Sequence, residues 1–428
     1  MNITILTYGS RGDVQPFLPL SVKLISRGHH VKLAAPSRFK NLVESYGITF
    51  IPLPGDPADA IQKITAGGQN IFTMLREGLH HAFEVGAPVF RQSEEACKDA
   101  DLIIHAFSHA VYGHTLAREL NIPDIHIQTF PMFAPTSDYP SVVLPDLKNR
   151  SLNYFTHLAG IKIIWWLSLF GYEYIRRRAG LPKRKLYFPF DENPPFDKLR
   201  TSLRPPTLIL CAWSPSLIPP SAEWTANVHV TGFFFFGETE SYQPHAELQN
   251  FLSAGDAPIC VSFGSMVNRD AERIDRVIRE ATTRTNNRLV ILSGWGGALK
   301  PSSSDLLYLE SAPHDWLLPR CKMIVHHGGA GTVSAGLRAG IPQVVVPFMT
   351  DQPFWARRVY ALGVAPKPIL VKNLTVDRLV RAIAEAGTKV ARERADEMGK
   401  KIRAEDGVNR AVALVESHAR DWHETAIF

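Results

Sequence analysis

Cysteine is scarce and scattered in this chain. The four thiols among 428 residues (Cys97, Cys211, Cys260 and Cys321) form no CxxC pair, so the sequence encodes neither a zinc knuckle nor a disulfide framework, and reduced thiols of a cytoplasmic protein fit best. A strong charge bias is also missing. A net charge of +6 is small for this length and its Lys and Arg read as dispersed, which excludes nucleic acid as a partner and leaves weak attraction to anionic membrane surfaces. There is no signal-peptide pattern, because the chain enters a strand at Asn2–Thr7. A long uncharged apolar run is lacking too. Phe155–Ile175 comes nearest, but it carries His157, Lys162 and Glu173. It reads as a buried or interfacial helix with Trp165 and Trp166 near one edge, so the expected location is cytoplasmic with peripheral membrane contact.

What is present is a regular alternation of short β-branched runs and amphipathic segments. Asn2–Thr7, His30–Ala35, Thr49–Pro52, Leu102–Ala106 and Ile125–Gln128 read as strands, with helices between them. Leu208–Cys211 and Val228–Thr231 close a first series, and a polar stretch around Glu238–Ser241 reads as a linker. A second series begins at Ile259–Ser262. Length and pattern together predict an α/β protein of two doubly wound parallel-sheet domains. Two segments break the alternation. Ile64–Cys97 is largely helical, and Phe130–Phe196 is rich in aromatics and prolines. Their apolar residues (Phe72, Met74, Phe83, Phe130, Met132, Phe133, Trp165, Trp166 and Phe170) predict, as a group, a pocket for an apolar molecule.

The richest stretch is Met323–Gln352. A strand, Met323–Val325, runs into His326 and His327; a turn, Gly328-Gly329-Ala330-Gly331, follows; Thr332 then opens a helix ending near Gly340. A glycine turn at the carboxyl edge of a parallel strand lets backbone N–H groups approach an anion, and the helix start adds roughly half a positive charge. A diphosphate suits such a socket. Neighbouring histidines on an extended chain point to opposite sides, so His326 and His327 make a poor metal pair, and His326 reads as structural. His105, His109 and His114 make an equally poor metal set, since the last two diverge on a helix.

The segments GSRGDVQPFLPL (Gly9–Leu20), WSPSLIPPSAEW (Trp213–Trp224), HVTGFFFF (His229–Phe236), VSFGSM (Val261–Met266), PHDWLLPRC (Pro313–Cys321), HHGGAGTVSAGLRAGIP (His326–Pro342) and PFMTDQPFWARRV (Pro347–Val359) together resemble the GT-B glycosyltransferases. The resemblance is to the group that holds sterol glucosyltransferases and enzymes glycosylating antibiotic aglycones. It implies two Rossmann-like domains facing across a cleft: an acceptor-binding domain over residues 1–235, and a nucleotide-sugar domain over 236–404. The last helix, about 405–428, would pack back on the first domain. It also implies inverting, metal-independent transfer of a hexose, with a UDP-sugar as co-substrate and no further cofactor.

By the same resemblance, Ser265, His327, Gly329, Ala330, Gly331 and Thr332 contact the donor phosphates, and Asp351 with Gln352 holds the sugar hydroxyls. Asp351 could instead merely cap the helix that follows. Asp13 takes the place of the catalytic base, with helix capping or pairing to Arg11 as the plainer alternative. Ser10, Arg11 and Gly12, with Phe130 and Met132, would line the acceptor junction. The sequence departs from plant relatives at the ribose-binding Glu, here Ala335, and at the base-stacking Trp and following Gln, which fall near Ser311 and His314. Backbone around Ser311, Ala312 and His314 would then contact ribose and base, leaving UDP or dTDP open. The expected acceptor is a sterol-like lipid, with polyketide, flavonoid, glycopeptide or hydroxy-fatty-acid aglycones as alternatives. A dinucleotide oxidoreductase fits less well, because the third glycine of GxGxxG falls on Ser334. A silent sugar-nucleotide binder is a third reading.

Overall fold

Strands that read as continuous apolar runs need cover on both faces, and helices supply it here. The computed structural model describes residues 1–57, 71–142, 144, 147–188, 205–236, 242–264, 271–293 and 302–425, with backbone alone at 71–75. In chain order the first half holds β1 (Asn2–Leu6), α1 (Arg11–Val14), α2 (Phe17–Ser26), β2 (His30–Pro36), α3 (Lys40–Glu44), β3 (Thr49–Leu53) and α4 (Ile71–Cys97). It continues with β4 (Leu102–His105), α5 (Ala110–Leu120), β5 (Asp124–Gln128), α6 (Arg150–Ala179), β6 (Leu208–Cys211) and β7 (Val228–Val230). The strands pair in parallel in the order β3-β2-β1-β4-β5-β6-β7. Alternation along the strands divides the two faces. Ile3, Ile5 and Ile104 pack with α2, whereas Leu6 and Ile103 pack with α4 and α5.

The second half holds α7 (Ala246–Ser253), β8 (Ile259–Ser262), α8 (Ala271–Arg284), β9 (Leu289–Leu292), β10 (Leu306–Leu309), α9 (His314–Leu317) and β11 (Met323–His326). It ends with α10 (Ala330–Ala339), β12 (Gln343–Val345), α11 (Gln352–Ala361), α12 (Val376–Ala386), α13 (Lys389–Ala404) and α14 (Gly407–Thr425). Its parallel sheet runs β10-β9-β8-β11-β12. Strand order reverses between β1 and β4 in one sheet and between β8 and β11 in the other. Such switch points open a crevice at the carboxyl ends of the strands. The turn after β1 carries Gly9 to Asp13, and the turn after β11 carries His327 to Gly329.

Local boundaries differ from expectation in two informative places. Helix α10 begins at Ala330, not Thr332, because the Thr332 and Val333 amides already donate to the Gly329 carbonyl at 3.0 and 2.9 Å. The helix expected between the first two strands is preceded by a separate single turn, α1, which ends at Val14.

Two packing arrangements hold the halves together. Trp213, Ile218 and Phe233 from the first half share a core with Val333, Leu337, Trp355 and Ile402 from the second. Helix α14 leaves the second half and lays Ala411, Val412, Val415 and Ala419 into the core of the first sheet. Glu416 there receives Arg27 Nη2 and His29 Nε2, each at 3.1 Å. Val415→Ala should destabilise the protein by about 1–3 kcal/mol, since it removes two fully buried methyls from the core. Val390→Ala on α13, where the side chain is 56% exposed, should change stability by less than about 0.5 kcal/mol in the same denaturant titration.

Candidate active site

The first wall of the crevice is a local hydrogen-bonded clamp. The chain leaves β1 through Thr7, whose hydroxyl donates to the Asp13 carbonyl at 2.8 Å, and turns at Gly9, where φ is +153°. A side chain at Gly9 would collide with the Asp13 carboxylate, so the turn requires glycine. Ser10 then donates twice to Asp13 Oδ2, from its amide at 2.7 Å and from its hydroxyl at 3.0 Å. This is the N3 carboxylate of a capping box reaching back to the start of α1. The capping alternative for Asp13 is therefore realised through Oδ2. Pairing with Arg11 is not seen, since Arg11 Nε donates to Gln15 Oε1 at 3.0 Å.

Asp13 keeps some exposed surface, but the crevice surrounds it with protein. Desolvation raises its pKa to about 6; the Ser10 hydrogen bonds pull it down, and the Asp351 carboxylate pushes it up. That coupling brings residues of both halves into one electrostatic site. Arg11 reaches across in the same way: burial lowers the His314 pKa to about 4, and the Arg11 guanidinium adds to the effect.

The opposite wall is built at β11 and α10. His326 is fully buried; its Nδ1 accepts from the Gly328 amide at 3.1 Å, so its Nε2–H donates to Gln343 Oε1 at 2.8 Å. Gln343 in turn donates to the Val333 carbonyl at 3.2 Å. His326 thus pins the glycine turn to β12 and α10, a structural role. The His327 ring lies between two glycines. A Cβ at Gly329 would fall 2.5 Å from its Nε2, and one at Gly264 would fall 3.1 Å from its Cε1. Burial lowers the His327 pKa to about 4, the Ser262 backbone opposes this, and His314 reinforces it. The neutral ring has a buried Nδ1 without a hydrogen-bond partner among the described residues. Gly329 caps α10, whose first residues Ala330 and Gly331 present their amides at the helix start. Thr332, in the first turn, is buried. Ser265 lies outside the described residues.

Asp351 precedes α11 without any side-chain capping bond. Instead Trp355 Nε1 donates to its Oδ2 at 2.9 Å, and Thr350 donates to its Oδ1 at 3.0 Å. Burial raises its pKa. Gln352 is buried, and its Oε1 accepts from the Phe348 and Met349 amides at 2.8 and 3.2 Å. Its carbonyl oxygen therefore shapes the loop, whatever else the side chain meets. Trp355 and Ser10 act as positioning groups; the first went unread, whereas Ser10 was read only as lining the acceptor junction and instead holds Asp13. The i,i+4 spacing of Asp351 and Trp355 was the available signal for the first. Ser311 is exposed, while Ala312 and His314 are half-buried at the start of α9.

The apolar group does not form one lining. Phe130 and Phe133 meet Phe107 with ring centroids 5.3 and 5.7 Å apart, and Met132 and Phe133 are buried in the core joining the halves. Trp165 stacks near Phe188 at 5.1 Å, but Trp166 and Phe170 face outward. Met132 is thus core, and Trp166 and Phe170 belong to the outer surface, because α6 buries its opposite side. The side chains of Phe72 and Met74 lie outside the described residues. His105 and His114 both bond Asp124 Oδ2, at 2.8 and 3.0 Å, and His109 bonds Ser93 at 3.3 Å. No metal-holding group of three or more such residues occurs among the described residues.

Ser10→Ala and Asp351→Asn should move the Asp13 titration in opposite directions. Loss of the hydroxyl donor raises it above about 6, and loss of the facing carboxylate lowers it, as carboxyl-carbon NMR of labelled protein would read.

Comparison with known proteins gives the family. Residues 3–123 match the glycosyltransferase family 28 N-terminal domain, and residues 306–413 match the erythromycin biosynthesis protein CIII-like C-terminal domain. A sterol 3-beta-glucosyltransferase of Arabidopsis thaliana is 34% identical over 98% of this chain and 66% of its own length. The chain spans only 27% of a fungal sterol 3-beta-glucosyltransferase from Neurospora crassa. An O-mycaminosyltylonolide 6-deoxyallosyltransferase of Streptomyces fradiae is 32% identical over 99% of this chain and 98% of its own. Among solved structures, the glycotransferase of kitacinnamycin superposes with a TM-score of 0.68 at 22% identity, covering 98% of this chain and 99% of that one. The fold, the paired glycine turns and these relatives together identify the chain as a GT-B glycosyltransferase, of the group holding sterol glucosyltransferases and antibiotic aglycone glycosyltransferases.

Proposed function

We propose that the protein is an inverting, metal-independent transferase that moves glucose from UDP-glucose to a hydroxyl of a sterol-like apolar acceptor. The first half takes the acceptor and the second takes the donor. The observation that carries this reading is the electrostatic meeting of Asp13 with Asp351 across the crevice, beside the start of α10. The acceptor hydroxyl gives its proton to Asp13 as its oxygen attacks the anomeric carbon. The bond from that carbon to the diphosphate breaks in the same displacement, which inverts the centre. The charge left on the diphosphate meets the amides of Gly329, Ala330 and Gly331 and the His327 ring. Thr332 adds a hydroxyl there. Asp351 and Gln352 hold the sugar hydroxyls, with Trp355 keeping the Asp351 carboxylate in place.

A carboxylate with a pKa near 6 is a stronger base than an ordinary aspartate and is still ionised at neutral pH. The cost of ionising it falls on the fold. The folded state holds this proton more tightly than the unfolded chain, so its stabilising effect is present below the unfolded pKa and is lost as pH rises through about 6. Asp13→Asn should therefore cut turnover by roughly 10²–10⁴-fold while leaving UDP affinity near wild type. Its melting temperature at pH 8 should be unchanged or higher. Wild-type kcat/KM should decline as pH falls through about 6. Retained turnover in Asp13→Asn would remove it from the mechanism.

A second acceptor reading has one observation in its favour. The O-mycaminosyltylonolide 6-deoxyallosyltransferase of Streptomyces fradiae matches this chain over nearly its whole length. UDP release and product mass, measured with sterol and polyketide aglycones side by side, separate the two. His327→Ala should weaken UDP-glucose binding by about tenfold or more in calorimetry, since it removes a donor and opens a void beside Gly329.

A further inference from the structure

Helix α6 runs for thirty residues, and only one side of it is buried among the described residues. Asn153, His157, Ile161, Tyr172 and Ile175 are buried along that side. Asn153 Nδ2 donates to the Ser137 carbonyl at 3.2 Å, and His157 Nε2 donates to the Tyr139 carbonyl at 3.0 Å. Tyr174 meets Phe83 of α4 with ring centroids 4.2 Å apart. These bonds and contacts fix the rotation of the helix about its axis. They leave Phe155, Ile163, Trp166 and Phe170 pointing outward, 64%, 58%, 70% and 66% exposed. Their helical positions form one stripe opposite the buried face. A helix apolar on both faces is normally covered on both. Among the described residues nothing covers this one.

The charge around the stripe indicates the partner. Between Asn149 and Lys185 there are eight Lys and Arg residues and a single acid, Glu173. This stretch holds more positive charge than the chain's net +6, so the remaining residues sum to −1. Lys and Arg are spread along the chain, with eight of the 47 in this stretch, but the net excess of positive charge falls here. Glu173 is engaged by Arg176 at 2.6 Å and Arg177 at 2.7 Å. Lys162 lies within the stripe, and Arg177 and Arg178 continue it at the carboxyl end. A second copy of the chain would bring a second set of these cations to the same face with only Glu173 again to offset them. Anionic headgroups would neutralise them.

We propose that α6 is a docking element for an anionic phospholipid bilayer. Phe155, Ile163, Trp166 and Phe170 enter the boundary between headgroups and acyl chains, and Lys162, Arg177 and Arg178 meet lipid phosphates. The helix lies along the surface: no helix among the described residues is long and apolar enough to cross a membrane. Docking places the crevice of this half beside a reservoir of apolar hydroxyl compounds. Binding itself is measured without donor or acceptor, so it stands or falls apart from the transferase reading.

The test is flotation of the full chain with phosphatidylcholine vesicles and with vesicles of equal phosphatidylcholine and phosphatidylglycerol. Wild type should float with the anionic vesicles at low salt, at least about tenfold more strongly than with neutral ones, and release as salt rises. The double variant Trp166→Glu/Phe170→Glu, and separately Arg177→Gln/Arg178→Gln, should lose about tenfold or more of that binding with melting temperature unchanged. Both substitutions fall on exposed positions, so folding is expected to survive. Absence of wild-type flotation, or equal flotation of the variants, overturns the proposal. So does a concentration-dependent dimer in lipid-free sedimentation that the Trp166→Glu/Phe170→Glu variant disperses, which would assign the stripe to a second copy.

Discussion

The site exists only while two independently wound sheets face each other, and the packing of Trp213, Ile218 and Phe233 against Leu337, Trp355 and Ile402 enforces that. Trp213 and Trp355 are both fully buried there. Each buries an area large enough to outweigh several exposed contacts elsewhere. Trp355 also reaches the crevice directly, because its indole N–H holds Asp351. One side chain thereby couples the rigidity of the joint to the position of a carboxylate in the crevice. Rotation of one half against the other would separate Asp13 from Asp351 and relax the electrostatic strain between them.

The crevice is organised by desolvation more than by ion pairing. Burial holds His314, His326 and His327 neutral and raises both Asp13 and Asp351. Neutral rings and carboxylates of raised pKa are what a partly dry crevice favours. An incoming dianion reverses the balance for His327, since a nearby negative charge favours the protonated ring. The glycines beside that ring therefore do more than turn the chain. They let an imidazole and a helix start converge on one point, where a single methyl group would keep them apart.

Much of this was legible beforehand, for identifiable reasons. Strands such as Leu102–His105 and Ile259–Ser262 lie wholly inside a parallel sheet, so their runs of apolar residues leave no other reading. The glycine turn at Gly328–Gly331 and the carboxylate at Asp13 follow strands at predictable distances. What could not be read depends on which side of an element faces the body. Periodicity cannot orient α6, because both of its faces are apolar; Met132 and Trp166 look alike in sequence, yet one is core and the other surface. Likewise the Oδ2 of Asp13 is committed to Ser10, a bond set by a turn whose φ only the folded chain reveals.

Helix α14 has a consequence for recombining such molecules. It is covalently part of the second half but contributes Val415 and its neighbours to the interior of the first. An exchange of second halves between two chains of this architecture is therefore a two-seam operation, with one junction near residue 236 and another in the short segment before Gly407. A single-crossover chimera would import a foreign plug for a native socket, and Arg27 and His29 would face whatever residue replaced Glu416.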